Sequence, residues 1–510
     1  MSILDRIDKF TSINGETIAY YNATQASGIK KLTYVQLSDY SDKLAFYLQE
    51  KLGDDKAPIV VYGHKSPYML VCFLACVKSG RAYCPVDISV PKERIKDIVD
   101  ETKTPFIIAT EALDIDYDNI LSINDITSII ESTKQKIDRK YYVEDDDVFY
   151  IIFTSGSTGK PKGVQITLGC LNNFLRWSQS LLNKELDGRQ LTFINQAPFS
   201  FDLSVMDLYT SLYLGGTLWC LEKSVQYKYE TLLESLKNSK ASVWVSTPSF
   251  ANMCLASNEF NNDLMPEIKS FLFCGETLPN STADKLLERF PSAEVINTYG
   301  PTESTVAITN INVTHSICKD YNPLPVGKPK NGTFIFIIDE NGKVLPDGER
   351  GEILIVGDSV SIGYFNNTEI TNKVFSTREI NGVLYRSYRT GDEGYIKDGQ
   401  LFYCGRIDLQ IKLHGYRIEI EDIENNFMKL DLIKNAVVVP IFKDGNVESL
   451  TAFVVPNFIV ENKLRAQSLI RKKLLEFLPS YMIPKKFIFV DTIPMTTNGK
   501  INRKKLLEEI

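Results

Sequence analysis

The sequence predicts an α/β fold: a parallel, mostly buried sheet with helices on its faces, then antiparallel strands, then a small α+β domain. Three observations lead there. Short apolar runs alternate with helical patterns from about residue 30 to 380. Near residue 330 the pattern changes to paired strands around a turn. Beyond residue 406 lie about 100 residues with strand, helix and strand signals. Buried parallel strands read as continuous apolar runs, whereas half-solvated antiparallel strands carry turn signals between them.

Taken in order, Ala57 to Tyr62 reads as a strand and Pro67 to Lys78 as an apolar helix. Arg81 to Val86 is a second strand, Pro91 to Glu101 an amphipathic helix, and Pro105 to Thr110 a third strand. This β-α-β-α-β order implies parallel pairing. The rhythm recurs at Leu191–Ala197, Ser242–Ser246, Ser270–Phe273 and Glu294–Asn297. Thr333 to Asp339, the turn Glu340-Asn-Gly, and Gly351 to Val356 read as an antiparallel pair. The closing domain takes its strands from Ala436–Phe442, Thr451–Val455 and Lys486–Val490, and its helix from Leu464–Phe477. No Pro/Gly-rich linker marks the boundary near 406–410, so a hinge there must be short.

The 510 residues are 44% apolar and 24% charged, an ordinary soluble composition that argues against disorder. A net charge of −7, from 57 basic and 64 acidic residues, disfavours nonspecific nucleic-acid binding. The longest apolar run, Met69 to Val77, is about half of what a bilayer crossing needs. Met1 to Phe10 lacks the apolar core of a signal peptide. Nine scattered cysteines without a C-x-x-C pair suggest reduced thiols in a cytosol. Three histidines (His64, His315, His414), none near another in sequence, argue against a multi-histidine metal centre.

Five segments carry candidate chemistry. Phe153 to Gly163 packs Gly, Ser, Thr and two lysines after a strand, a composition that turns backbone N–H groups and hydroxyls toward an anion. The P-loop pattern fails, since Thr154 stands where its first glycine belongs and Pro161 follows Lys160. A flexible surface turn is the alternative. Asn297 to Glu303 follows a strand, at the end where open α/β sheets bind ligands. Tyr299 can stack on a base, Thr302 can bond a phosphate, and Glu303 suits a magnesium ion held mainly by phosphates. A Gly-Pro turn with a capping Thr explains that segment equally well. Asp392, after a Gly turn, can accept both hydroxyls of a ribose or simply end a charged hairpin. Gly405 to Glu419 is the fourth segment, and Asn498 to Arg503 the fifth. Lys500 by itself is an ordinary solvated lysine on a glycine turn.

Together these five ordered segments resemble the adenylate-forming superfamily, which spans acyl-CoA synthetases, luciferases and the adenylation domains of peptide synthetases. The resemblance covers nearly the whole chain. It implies a multi-subdomain N-terminal AMP-binding domain over 1–407 and a mobile C-terminal domain over 408–510, with the active site between them and a hinge at Asp408. It implies ATP and Mg2+ as cofactors. Thr154 and Ser155 would hold phosphates, and Asn297, Thr298, Tyr299, Gly300, Pro301 and Thr302 would hold adenine and the α-phosphate. Asp392 would take the ribose, with Tyr403, Cys404, Gly405 and Arg406 nearby. Glu303 would face the metal, and Lys500 would bridge nucleotide and substrate. The Lys412–Glu419 stretch would replace Lys500 in a second half-reaction.

Phe201 to Ser204 is similar to the segment whose aspartate pairs with a substrate ammonium in amino-acid-activating members. Asp202 suits that role because a buried carboxylate needs a partner. Asp202 as a helix cap is the alternative. Phe273-Cys-Gly-Glu276, Gln196 to Asp202 and Pro494 to Lys500 resemble the D-alanine–D-alanyl carrier protein ligases. That family implies a D-alanine pocket of Asp202, Cys274, Val306 and Lys500, and a separate phosphopantetheinylated carrier protein as partner in teichoic acid D-alanylation. It implies no nucleic acid, no membrane span and a cytoplasmic place. Asn502 departs from the aspartate often found in relatives. A basic cluster of Lys485, Lys486, Arg503, Lys504 and Lys505 can attract an acidic carrier or be a solvated face. Other readings are an adenylation enzyme for another small amino acid, a CoA ligase without an ammonium to bind, and a silent interaction protein.

Overall fold

The structure is a computed structural model that describes residues 1–24, 29–156, 160–182, 190–226, 228–443, 446–495, 501–508 and 510. The chain divides into two compact units, one of Met1–Asp87, Thr102–Ile152 and Gly163–Ile407, the other of Ile88–Glu101, Phe153–Lys162 and Asp408–Ile510.

In the first unit the recurring β-α rhythm builds two sheets rather than one. Ile59–Tyr62 pairs in parallel with Tyr83–Val86 and with Ile107–Ala109, within a six-stranded sheet. The later strands join a nine-stranded sheet. Its six central members, Ile18–Tyr21, Thr217–Cys220, Thr192–Asn195, Val243–Ser246, Ser270–Phe273 and Glu294–Tyr299, run parallel. Lys31–Thr33 closes one edge antiparallel, and Thr309–Val313 with Lys328–Pro329 closes the other. Ile18–Tyr21 pairs in parallel with a strand far along the chain, Thr217–Cys220, so local periodicity offered no sign of its place.

The helix Pro67–Lys78 is buried on nearly every side, which is why it reads as apolar all round. Ser66 caps its N-terminus through Tyr68 N–H, and Pro67 sits at the first turn where no N–H is needed. At its other end the buried Arg81 guanidinium donates to the carbonyls of Ser79 and Gly53, satisfying C-terminal groups of two helices without a carboxylate. The helix Tyr34–Leu52 starts with a capping box of Thr33 and Gln36. A third, antiparallel sheet holds Thr333–Ile338, Gly351–Gly357, Val383–Lys397, Phe375–Ile380 and Gln400–Arg406.

Beneath the helix Leu203–Leu214 lies a buried polar chain. Lys65 Nζ donates to Asn195 Oδ1, and Asn195 Nδ2 donates to Asp207 Oδ1 at 3.0 Å. Asp207 Oδ2 has no hydrogen-bond partner among the described residues. Burial pushes the Asp207 carboxyl from its ordinary 3.8 up to about 8, against the opposing charge of Lys65. The folded protein therefore holds a proton that the unfolded chain releases. This group's contribution to stability falls as pH rises from about 4 to about 8. Asp207→Asn keeps the acceptor for Asn195 and removes the titration. Its melting temperature should decline less than that of wild type between pH 5 and pH 8, and identical profiles would contradict the assignment.

In the second unit Ile433–Lys443, Asn446–Pro456 and Lys486–Phe489 form a three-stranded sheet, antiparallel then parallel. Helices Ile420–Met428 and Lys463–Leu474 supply Ile423, Phe427, Ile470 and Leu474 to one of its cores. Leu506, on the helix Arg503–Leu507, packs with Val437, Val439 and Phe453. Asn502 caps that helix, its Oδ1 accepting from Lys505 N–H at 3.1 Å. Asn and Asp cap about equally well, which accounts for the departure at this position. Arg503 donates to both oxygens of Glu424 at 2.6 and 2.9 Å and to Val438 O at 2.8 Å. It is a tether within this unit and not a member of a solvated basic face.

Candidate active site

The strand Glu294–Tyr299 delivers Asn297, Thr298 and Tyr299 to its C-terminal end. The amide of Asn297 donates to Pro325 O at 2.9 Å, and the hydroxyl of Thr298 donates to Phe273 O at 2.8 Å. These bonds fix the strand end against the chain segments on each side. The Tyr299 hydroxyl donates to Asp392 Oδ2 at 2.5 Å. Burial, then the nearby Asp392 charge, raises the Tyr299 phenol well above its usual range, so it stays a donor.

Asp392 lies in Val383–Lys397, directly opposite Arg406 of Gln400–Arg406. Arg406 Nη1 donates to Asp392 Oδ1 at 3.0 Å and to Thr390 O at 2.6 Å. Asp392 N–H donates to Thr390 Oγ1 at 3.0 Å. Gly405 pairs with Glu393 and Tyr403 with Gly394, so Cys404 is the extra residue of a bulge. The bulge brings the Tyr403 ring within 5.6 Å of Tyr299, centre to centre, at 36°. Tyr299, Asp392, Tyr403 and Arg406 thus form one cluster from three strands.

After Tyr299 the chain doubles back. A Cβ on Gly300 would lie 2.6 Å from Ala307 Cα, so only glycine fits there. Pro301 precedes the single turn Thr302–Ser304, and Thr302 is buried beside it. Thr305 and Val306 then adopt φ of 62° and 68°. A β-branched residue in the left-handed region is a strained conformation that costs roughly 1–3 kcal/mol. Three contacts hold it. Thr305 Oγ1 donates to Ser359 O at 2.8 Å, Ala307 N–H donates to Thr305 O at 2.8 Å, and Cys274 Sγ donates to Val306 O at 3.5 Å. Cys274 and Val306 are therefore neighbours, as a shared pocket requires. Cys274 follows Ser270–Phe273 and is buried, and the sharp exit at Gly275 has φ 93°.

Asp202 stands at the N-cap position of Leu203–Leu214 but makes no capping hydrogen bond with its side chain. The capping alternative is thereby removed. Its charge bears on Tyr150, whose phenol is pushed up first by burial and then by Asp202. Glu303 is fully buried, and one of its oxygens accepts from the Tyr364 hydroxyl at 2.7 Å. Among the described residues no group of three or more His, Cys, Asp or Glu is placed to hold a metal. A lone hard carboxylate suits a divalent cation coordinated chiefly by substrate phosphates, so the donor set fits Mg2+ in that form.

In the second unit, Ser155 is engaged with the hairpin Gln410–Leu413 and Tyr416–Glu419. Its hydroxyl donates to Arg417 O at 3.0 Å and accepts from Glu419 N–H at 3.1 Å. Thr154 Oγ1 donates to Lys162 O at 3.5 Å. Asp408 Oδ1 accepts from Gln410 N–H at 3.0 Å, opening the hairpin. Lys500 and Gly159 lie outside the described residues. Sequence reading missed Tyr364 and Ser359, whose partners lie tens of residues away. The only local sign was Gly363 before an aromatic residue.

Comparisons with known proteins bear on the family and the fold. Residues 11–365 match the family model described as AMP-binding enzyme, and residues 422–500 match the AMP-binding enzyme C-terminal domain. D-alanine–D-alanyl carrier protein ligases of Bacillus cytotoxicus and Bacillus cereus are each 46% identical over 514 residues, covering 100% of both chains. Among solved structures, o-succinylbenzoate CoA synthetase from Bacillus subtilis superposes with a TM-score of 0.83 at 20% identity, over 99% of this chain and 98% of that one. A Vibrio cholerae adenylation domain in complex with glycyl-adenosine-5'-phosphate gives 0.81 at 22% identity, over 100% and 98%. At such identities the two structures bear on the fold alone, which is that of adenylate-forming enzymes. With both domain models matched in order and end-to-end relatives at 46% identity, the chain belongs to the AMP-binding enzymes, in the family of D-alanine–D-alanyl carrier protein ligases.

Proposed function

We propose that this protein is a ligase that activates D-alanine with ATP, giving D-alanyl-AMP and pyrophosphate. It then passes the D-alanyl group to the phosphopantetheine thiol of a separate D-alanyl carrier protein, the entry step of teichoic acid D-alanylation. The full-length likeness to the Bacillus ligases carries the choice of substrate and partner. The geometry supports the nucleotide half through Asp392, whose two oxygens are fixed by Tyr299 and Arg406 for a ribose. Cytoplasmic placement accords with the need for ATP, and no described helix is long and apolar enough to cross a membrane.

In the first half-reaction the D-alanine carboxylate attacks the α-phosphorus and pyrophosphate leaves. Positioning and electrostatics supply most of the catalysis in such a transfer. Asp202 pairs with the substrate ammonium, and Cys274 and Val306 close a pocket of alanine size. Lys500 bridges the substrate carboxylate and the nucleotide, offsetting charge that builds at the α-phosphate. Thr154 and Ser155 hold phosphate oxygens; Asn297 through Thr302 hold adenine and the α-phosphate. Glu303 would hold the Mg2+ that accompanies ATP and neutralises its phosphates. The domains run 1–407 and 408–510. Asp408 serves as hinge, so that Lys500 acts first and the Lys412–Glu419 hairpin replaces it for thiol transfer.

ATP–pyrophosphate exchange tests this reading. Exchange with D-alanine should exceed that with L-alanine, glycine, D-serine or acetate. A D/L preference rests on about one or two kcal/mol of pocket fit, hence roughly tenfold. Preference for another amino acid would move the protein to peptide synthesis, and exchange with acetate alone would remove the role of Asp202.

A further inference from the structure

Residues 358–364 form a strap that leaves the strand Gly351–Gly357 and touches the site loop at three points. Ser361 N–H donates to Glu303 O at 2.8 Å, Ser359 O accepts from Thr305 Oγ1 at 2.8 Å, and the Tyr364 hydroxyl donates to Glu303 Oε1 at 2.7 Å. All five residues are buried. The far side of the strap is bound to the strand Lys162–Thr167. Ser361 Oγ donates to Gln165 O at 2.7 Å, Gln165 N–H donates to Gly363 O at 3.1 Å, and Phe365 N–H donates to Gly163 O at 2.7 Å. Gly363 is held at φ 122° with no room for a side chain, since a Cβ would lie 2.4 Å from Thr371 Cγ2. Tyr364 is fixed by its backbone bond to Thr371 Oγ1 at 3.0 Å and by edge contact with Phe375, 5.5 Å between ring centres.

We propose that Tyr364 is a positioning residue for the reaction: its hydroxyl orients the Glu303 carboxylate, and the strap it ends sets the backbone that carries both Glu303 and Val306. A carboxylate on a one-turn helix beside two left-handed residues has no regular element to hold it. The strap supplies that support from outside the loop, as hydrogen-bonded outer partners do for metal-facing groups generally. Because residue 303 faces the phosphates and residue 306 the amino acid, one strap sets both sides of the site. This inference rests on the reading of Glu303 as the metal-facing carboxylate.

The test is Tyr364→Phe, which keeps the ring against Phe375 and removes only the hydroxyl. Mn2+ binding is measured by electron paramagnetic resonance in the presence of an ATP analogue with a methylene between the α and β phosphorus atoms. Metal-free AMP binding is measured beside it. Mn2+ affinity should fall about tenfold to a hundredfold, while AMP affinity stays within about twofold of wild type. Unchanged Mn2+ affinity in the variant, with normal binding in wild type, would overturn the positioning role alone. Parallel losses of Mn2+ and AMP would overturn it too, by showing a merely structural role. Failure of the wild-type protein to bind Mn2+ with the analogue would overturn the reading of Glu303 itself.

Discussion

Lys500→Ala should lower D-alanine-dependent pyrophosphate exchange by about a hundredfold to a thousandfold, the range for removing one preorganised group at developing charge. Thiol transfer from preformed D-alanyl-AMP should fall by less than about tenfold, because in the proposed second half-reaction the Lys412–Glu419 hairpin has replaced Lys500 at the departing AMP. The two half-reactions are measured separately, exchange for the first and carrier acylation from supplied adenylate for the second. Equal losses would show that Lys500 maintains the site rather than serving adenylation. Lys500→Arg is an informative companion: charge is kept, but a planar fork replaces a compact ammonium.

The second large effect is expected at Asp392. Asp392→Asn keeps the shape but removes the charge that faces Arg406 and the Tyr299 hydroxyl. Hydrogen bonds to charged groups contribute roughly 1.5–3 kcal/mol, so KM for ATP should rise about tenfold to a hundredfold. D-alanine pyrophosphate exchange at saturating ATP should be affected less. The variant should also melt lower, since the partly buried Arg406 would be left beside a neutral amide. Unchanged KM for ATP together with a lowered melting temperature would make the cluster structural only.

These two residues show what kind of information a sequence carries. Element identity was legible where it rests on local periodicity: Ser270–Phe273 and Pro67–Lys78 have the bounds read from the chain. Sheet order was not, because Ile18–Tyr21 finds its parallel neighbour at Thr217–Cys220, about two hundred residues on. Two rhythms that look alike in sequence fall into separate sheets for the same reason. In the site, Tyr299 and Asp392 were each legible as ligand-facing types, but not their bond to one another across 93 positions. Glu303 was legible as an oxygen donor and Val306 as a pocket residue through the family resemblance, while Tyr364 and the left-handed backbone at Val306 were not. Asp202 was legible as a choice between pairing and capping, and the helix it begins decides against capping.

The cysteines bear on a different question, that of chemical self-protection. An acyl-adenylate reacts with any thiolate it meets, and this chain carries nine cysteines, none of them in a disulfide. Burial pushes Cys220 and Cys254 up to about 12, and raises Cys72, Cys76 and Cys84 well above the usual thiol range. Cys318 and Cys404, the two that are partly exposed, are raised as well. Cys274 is buried and donates to the Val306 carbonyl at 3.5 Å. Seven of the nine sulfurs are held by burial as poor nucleophiles toward an acyl-adenylate.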